Sequence, residues 1–431
     1  VSTPALVRLF ERDGALAPAG LDARREALDA FLAAGFPTRR DEAWRYTDLK
    51  PIAEADFDVA PAETSAEVRR KTAALLADAA ALPADEASGR IVLIDGRLDE
   101  QLSRLDGAAG LEIARTGPER APRAGRAAAH PLALLNRAFA RDVVSIRAAS
   151  GARIDKPLEL FVVAGGAGRI AQHPRIAISL GKHARLDVVV HCIDAAEAEG
   201  WVNLVVDVTQ DDGSHLAMHR LQEHGAQLHH TSLLAADVGR DASLAAAYVD
   251  LGGRVARNDV DVRLAAPGAA AELFGVFVAA PGRHVDNEIH VEHAARETRS
   301  DTAFRGIADR TGRGVFRGKV LVQRDAQKID ARQKSDNLLL AEHAEIDTRP
   351  ELEIYADDVK CSHGATVGEI DADHMFYLRS RGIDEQSARA LLTFAFARTL
   401  LERLEPARLR DRAIRLVAGQ LPAAPAWEDI E

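Results

Sequence analysis

The chain has 431 residues, 47% of them hydrophobic, with only two cysteines and a formal net charge of −11. That length supports two or three cores, while the acidic balance and 5% aromatic content argue against nucleic-acid or anionic-membrane binding. Two cysteines do not make a disulfide scaffold and fit a reducing cytoplasm; no apolar run has the length of a membrane span, and Val1–Gly20 lacks the pattern of a secretory signal.

Residues 1–149 read as mainly helical and alanine-rich. Leu21–Ala34 places Leu28, Phe31 and Leu32 in a helical pattern, and Gly35 and Pro37 stop it. Glu42-Ala43-Trp44-Arg45-Tyr46-Thr47 then sets two of the few large aromatics among charges. Ile91-Val92-Leu93-Ile94 reads as a short buried strand. Gly107–Arg126, rich in Gly, Pro and Arg, reads as a loop.

Residues 150–371 change cadence. Short apolar runs recur at Leu158–Val163, Ile176–Leu180, Leu186–Val190, Leu204–Val208 and Ala246–Leu251. Gly181, Gly213, Gly239 and Gly268 punctuate them at intervals of roughly 26 to 32 residues. The helices that a βαβ fold needs between parallel strands are missing from the pattern. A β-solenoid or β-sandwich fits instead, and the persistence of the cadence favours the solenoid. Residues 372–431 return to helix. Asp384 is the expected N-cap of a helix ending near Pro406, with Leu392, Phe396, Leu400 and Leu404 at i+4 spacing. A second helix runs over Ala407–Val417, with Leu409, Ala413, Ile414 and Val417 on one side and Arg408, Arg410, Arg412 and Arg415 around the rest.

The histidines fall in two groups, His215, His219, His224, His229 and His230, then His284, His290 and His293. Their context is strand and turn, and the Glu of a His-Glu-x-x-His site is absent, so exposed or locally hydrogen-bonded side chains are expected. Arg257-Asn258-Asp259-Val260-Asp261 reads as the solvated face of a strand, and Val163–Gly168 as a plain glycine turn. Cys192, beside His191, is expected to be buried filler. No nucleophile elbow or phosphate loop occurs. Lys360-Cys361-Ser362-His363-Gly364-Ala365-Thr366 is different. In an extended strand Cys361 and His363 leave the same face. They can supply half of a metal or sulfur site, the other half coming from a partner or a second copy. The competing reading is a free cysteine beside an unrelated surface histidine.

The surroundings of that pair are specific. Lys328–Leu340, Thr348–Ile354, Asp357–Gly368 and Phe376–Ile383, with Glu42–Thr47 and His290-x-x-His293 followed by Thr298 and Ser300, resemble the SufB/SufD family of iron–sulfur cluster assembly scaffolds. The Cys-Ser-His-Gly-Ala-Thr-Val-Gly form and the scarcity of cysteine resemble its SufD side. The resemblance implies a helical N-terminal region over 1–149, a central right-handed parallel β-helix over 150–371, and C-terminal helices over 372–431 that dock an ATPase subunit. It implies a cytoplasmic, non-catalytic scaffold that pairs with a SufB-like subunit, binds a SufC-like ATPase, and forms a homodimer when isolated. By motif position His363 is the metal ligand lent to the subunit joint and Cys361 a thiol nearby. No cofactor is held by the chain alone; the iron–sulfur cluster is transient and shared with SufB, and flavin in the complex is left open. Two alternatives stand beside this: a β-helix polysaccharide-active enzyme, and a homodimeric metal-binding protein using Cys361 and His363 from two copies.

Overall fold

The computed structural model describes residues 3–16, 20–78, 81–117, 126–165, 168–195 and 198–421. Four helices lead: α1 (Thr3–Leu16), α2 (Leu21–Ala34), the one-turn α3 (Lys50–Ala53) and α4 (Ala66–Asp78). The expected stop of α2 is there: Gly35 adopts φ 74°, a conformation that favours glycine, and its N–H closes on Phe31 O. Next come β1 (Gly89–Ile94), β2 (Arg97–Leu98), β3 (Leu111–Thr116), α5 (Pro131–Phe139) and β4 (Val143–Ala148). Strand β3 corrects the loop expected over Gly107–Arg126; residues 118–125 of that stretch lie outside the described residues. Its Ile113 packs on the core beside Ile146 of β4, so burial overrides the turn-rich composition around it.

The solenoid continues through β5 (Leu158–Ala164), β6 (Arg169–Gln172), β7 (Arg175–Leu180), β8 (Arg185–Asp194), β9 (Glu199–Gln210) and β10 (His215–Gln222). Then come β11 (Leu228–Val238), β12 (Ser243–Asp250), β13 (Val255–Leu264), β14 (Ala270–Ala279) and β15 (His284–His293). The run closes with β16 (Arg299–Ala308), β17 (Arg313–Val322), β18 (Ile329–Leu339), β19 (Glu345–Ile354) and β20 (Val359–Gly368). Residues 166 and 167 of the expected Val163–Gly168 turn lie outside the described residues. Strands alternate between two parallel runs, β1-β5-β8-β10-β12-β14-β16-β18-β20 opposite β19-β17-β15-β13-β11-β9-β7-β4, with β2 and β3 added antiparallel at the far ends. In register, His215 lies beside Ser243, Ser243 beside Ala270, and Ala270 beside Arg299. Each step advances roughly 30 residues, the period of a solenoid turn. Gly213 and Gly268 turn corners at φ 66° and 77°, which explains their place in the cadence. Strands β1 and β4 pair with β5 and β7, so the stretch 1–149 also feeds the sheets.

Between the sheets lies an aliphatic core that includes Leu160, Val188, Val206, Leu244, Val262 and Ile289. The Arg257–Asp261 segment is not a solvated face. Arg257 and Asn258 are fully buried and Asp259 nearly so. Arg257 meets Asp259 at 2.7 Å, Asp286 at 2.5 Å and the Trp44 ring at 3.7 Å. The N-terminal segment roofs this flank, and the roof is what alternation along one strand does not reveal.

Three helices close the described residues: α6 (Ala372–Ser380), α7 (Glu385–Leu401) and α8 (Ala407–Gln420). Asp384 caps α7 by accepting from Ser387 N–H at 3.0 Å, as expected. The helix stops at Leu401 rather than near Pro406, and Leu404 is buried in the turn beyond it. Phe394, Leu400, Leu409 and Val417 pack on Val189, Val249, Phe274 and Val276, the outer face of the β8–β18 sheet. Two arginines of α8 tie back to the body, Arg412 to Glu223 at 2.6 Å and Arg408 to Glu86 at 3.3 Å. Among the described residues, no helix is long and apolar enough to cross a membrane.

Candidate functional site

Toward its C-terminal end the solenoid interior changes character. On β18 the residues that alternate inward are Ala331, Gln333, Ser335 and Asn337, all buried. Gln333 Nε2 donates to Gly318 O at 3.1 Å, and Asn337 Nδ2 to Ser335 Oγ at 2.9 Å. A polar, internally bonded floor tolerates water where an aliphatic one does not. Strand β20 lies directly on that floor, with Cys361 beside Ala331 and His363 beside Gln333. Cys361, His363, Ala365 and Val367 therefore continue the interior column by one turn. Among the described residues no strand pairs with the far side of β20, so this column is open. His363, Ala365 and Val367 are exposed and Cys361 is half-buried.

Cys361 is a free thiol at the edge of a small cluster containing Ile329, Ala331 and Val322. Partial burial, followed by the Asp330 carboxylate, raises its pKa. It is thus a protonated thiol at neutral pH that a soft metal or sulfur species must deprotonate to engage. The expectation that Cys361 and His363 share a strand face holds. The pair is also short of ligands: among the described residues, no group of three His, Cys, Asp or Glu donors forms around it.

The end carries a second signal that the sequence pattern does not single out. The exposed large hydrophobic residues among those described are Ile354, Tyr355, Val367, Phe376 and Tyr377, and Phe376 is 75% exposed. All five lie at the end of β19, on β20 or on α6. Helix α6 itself buries no residue. A groove of about 360 Å³ runs between the end of β20 and α6–α7, lined by residues that include Thr366, Val367, His374, Leu392 and Phe396. Exposed apolar side chains clustered beside an unpaired strand mark a contact surface.

The other motif residues have structural work. Glu42 pairs with Arg349 of β19 at 2.9 Å, and its carbonyl accepts from Arg317 of β17 at 2.7 Å. Thr47 Oγ1 lies 2.7 Å from His284 Nε2 and donates to Asp286. Glu42–Thr47 is therefore a strap across β13, β15, β17 and β19. His293 is buried, with Nδ1 at 2.7 Å from Thr298 Oγ1 and Nε2 at 2.9 Å from Ser300 Oγ. Burial lowers its pKa to about 4, so it is a neutral pin of the β15–β16 corner. His290 contacts Asp261 at 3.1 Å.

In the first histidine group His215 meets the expectation and the other four depart from it. His215 is exposed and bonded to Ser243 at 2.7 Å. His219, His224, His229 and His230 are buried, because this stretch of the solenoid is covered by helices outside and packed inside. Cys192 is buried as expected, but beside two of those histidines.

Comparison with known proteins bears on the whole chain. Residues 161–396 match the family described as "SUF system FeS cluster assembly, SufBD core domain", and residues 16–74 match "SufBD protein N-terminal region". The chain is 31% identical over 401 residues to the iron-sulfur cluster assembly protein SufD of Escherichia coli (strain K12), covering 92% of each. It is 28% identical over 416 residues to the iron-sulfur cluster assembly SufBD family protein slr0076 of Synechocystis, covering 92% of this chain and 90% of that one. A chloroplastic protein of Arabidopsis thaliana, ABCI7, is 29% identical over 300 residues, 67% of this chain and 62% of its own length. The β-solenoid between terminal helices, the motif positions and these matches agree: the chain belongs to the SufBD family of iron–sulfur cluster assembly proteins and is SufD-like.

Proposed function

We propose that this chain is the non-catalytic scaffold subunit of a SUF complex and that its open β19–β20 end pairs with a SufB-like subunit. In this reading an iron–sulfur cluster is built at the joint as cargo. His363 is the ligand this chain lends to it, Cys361 is a secondary thiol, and the partner supplies the main cysteines. A SufC-like ATPase docks on the C-terminal helices and performs the ATP hydrolysis. The setting is cytoplasmic, in keeping with two unpaired cysteines.

One observation carries the reading: the interior column of the solenoid ends uncovered at Cys361 and His363. Strand addition is the ordinary way to complete such an edge. An incomplete donor set is what a shared site requires from each side. Imidazole holds iron less firmly than thiolate does, which suits a cluster that must leave. Family membership takes the place of the polysaccharide-active alternative. A homodimer of the isolated chain uses the same edge with two-fold symmetry, and stoichiometric iron in that homodimer would favour the metal-binding alternative instead.

The test is co-expression with SufB-like and SufC-like subunits, then anaerobic reconstitution. His363→Ala should leave the complex intact by size exclusion while lowering cluster yield by at least about tenfold. Cluster absorption and iron content at the unmutated level would remove His363 from the site.

A further inference from the structure

A second donor set lies inside the solenoid, far from the open end. Cys192 sits near the end of β8, His224 in the corner after β10, and His230 at the start of β11. Strand β10 lies directly beside β8, with Gln222 next to Cys192. The corner after Gln222 brings two imidazoles of one turn to the thiol of the turn before. One potential ligand atom from each residue, a sulfur and two ring nitrogens, all fall within 4.8 Å of one another. All three side chains are essentially inaccessible, Cys192 and His230 at 0% and His224 at 1% exposure.

The hydrogen bonding of these histidines is incomplete. A neutral imidazole carries one donor and one acceptor. Among the described residues, neither nitrogen of His224 has a hydrogen-bond partner, nor has Nδ1 of His230. The Asp194 carboxylate lies 4.0 Å from Nδ1 of His224. Nε2 of His230 meets Arg220 at 3.5 Å. That guanidinium is held without it, by Ser232 at 2.7 Å, Asn258 at 2.6 Å and Asp250 at 2.5 Å. The two rings are 5.2 Å apart and tilted by 42°, so they do not stack. Buried polar atoms without protein partners call for a water, an ion or another ligand.

We propose that Cys192, His224 and His230 form a buried site for a thiophilic divalent transition cation, represented by Zn²⁺. One thiolate and two imidazoles are a donor set this class accepts, and a small closure of the three atoms gives the usual bond lengths. Asp194, 4.0 Å from His224 Nδ1, lies outside that group of donor atoms, so a water is the fourth ligand. On binding, the sulfur–metal bond forms as the sulfur–hydrogen bond breaks, and the proton leaves to solvent. The site is distinct from the Cys361–His363 pair: β8 and β20 are six strand spacings apart in one sheet, about 29 Å.

The test uses the full untagged chain, stripped with chelator under reducing conditions, then loaded with Zn²⁺ or with Co²⁺ as a spectroscopic probe. The expected result is about one equivalent retained through gel filtration, with thiolate-to-cobalt charge-transfer absorption. Cys192→Ala should lose both signals, and the double variant Cys361→Ala, His363→Ala should keep them. A metal equivalent that depends on Cys361 and His363, or no equivalent at all, overturns the proposal. If Cys192→Ala does not fold, alkylation of the unmutated chain in mild denaturant decides. Zn²⁺ should slow modification of Cys192 at least tenfold, and equal rates with and without metal overturn the site.

Discussion

Cys192 and Cys361 belong to the same sheet, and each has histidine nearby, yet their settings are opposite. Around Cys192 the turns before and after are present, helices cover the outside, and burial pushes the thiol pKa up to about 12. Cys361, in a different column of the same inward face, has neighbours on one side only. The residue types are shared; what differs is whether another turn is stacked beyond. Closure makes a side chain part of the fabric, and its absence turns an interior position into an accessible one. A repeat architecture thus creates an exposed surface by stopping.

The strongest test of this contrast compares two arginines. Arg257 is fully buried among Asp259, Asp286 and Glu288 beneath Trp44. Arg257→Ala leaves buried carboxylates unpaired and should cost about 3–5 kcal/mol in chemical denaturation. Arg349, half-exposed near the open end and paired with Glu42, should cost no more than about 1 kcal/mol as Arg349→Ala. Equal losses would break the distinction between closed and open turns.

Acid gives a second test. Burial lowers the pKa of His173, His191 and His224 to about 3 and of His229 and His293 to about 4. These rings are neutral in the fold and titrate near 6.5 when unfolded. The unfolded chain therefore takes up more protons below about pH 6.5, and stability falls as pH drops toward 4. Buried carboxylates act oppositely, stabilising toward acid: burial raises Glu288 to about 8 and Asp95 to about 6, and Glu159, Asp194, Asp207, Glu223 and Asp250 are raised as well. With His130, His219, His230 and His284 also lowered, nine histidines stand against these seven. The thermal midpoint should fall from pH 7 to pH 5, and more shallowly in His293→Gln. A flat profile over that range would contradict closure of the middle turns.

The smallest effect belongs to the open end. His363→Ala and Cys361→Ser should each change the stability of the isolated chain by no more than about 0.5 kcal/mol in urea unfolding. A loss of several kcal/mol would mean that β20 is packed like an interior turn.

Much of the fold was legible in the sequence because its signals are local. Apolar runs of strand length, corner glycines such as Gly213 and Gly268, the Asp384 cap and the Gly35 stop each act through neighbouring residues. The misreadings share one cause. His224, His230, Arg257 and Asp259 look like surface residues in their own stretch of sequence, and they are buried in the fold. The roof over Arg257 is Trp44, more than two hundred positions away. Strand β3 was hidden in the same way, since its partner β4 lies beyond a turn-rich stretch. At the candidate site, shared facing of Cys361 and His363 could be read from their spacing, whereas exposure could not. Openness depends on whether a further strand stacks on β20, and no pattern within Val359–Gly368 encodes it. The role given to His363 came from the resemblance, not from its spacing.

The bare flank of β20 also bears on supply. A copy without a partner presents a ten-residue strand edge together with five large apolar side chains at the same end. Such an edge accepts whatever strand it meets first. If a partner subunit completes that edge, as proposed, copies made in excess of it would be expected to pair with one another or aggregate. On that reading the amount of usable protein would be set by the scarcer of the two surfaces, and matched synthesis would be a demand written into the last strand of the sheet.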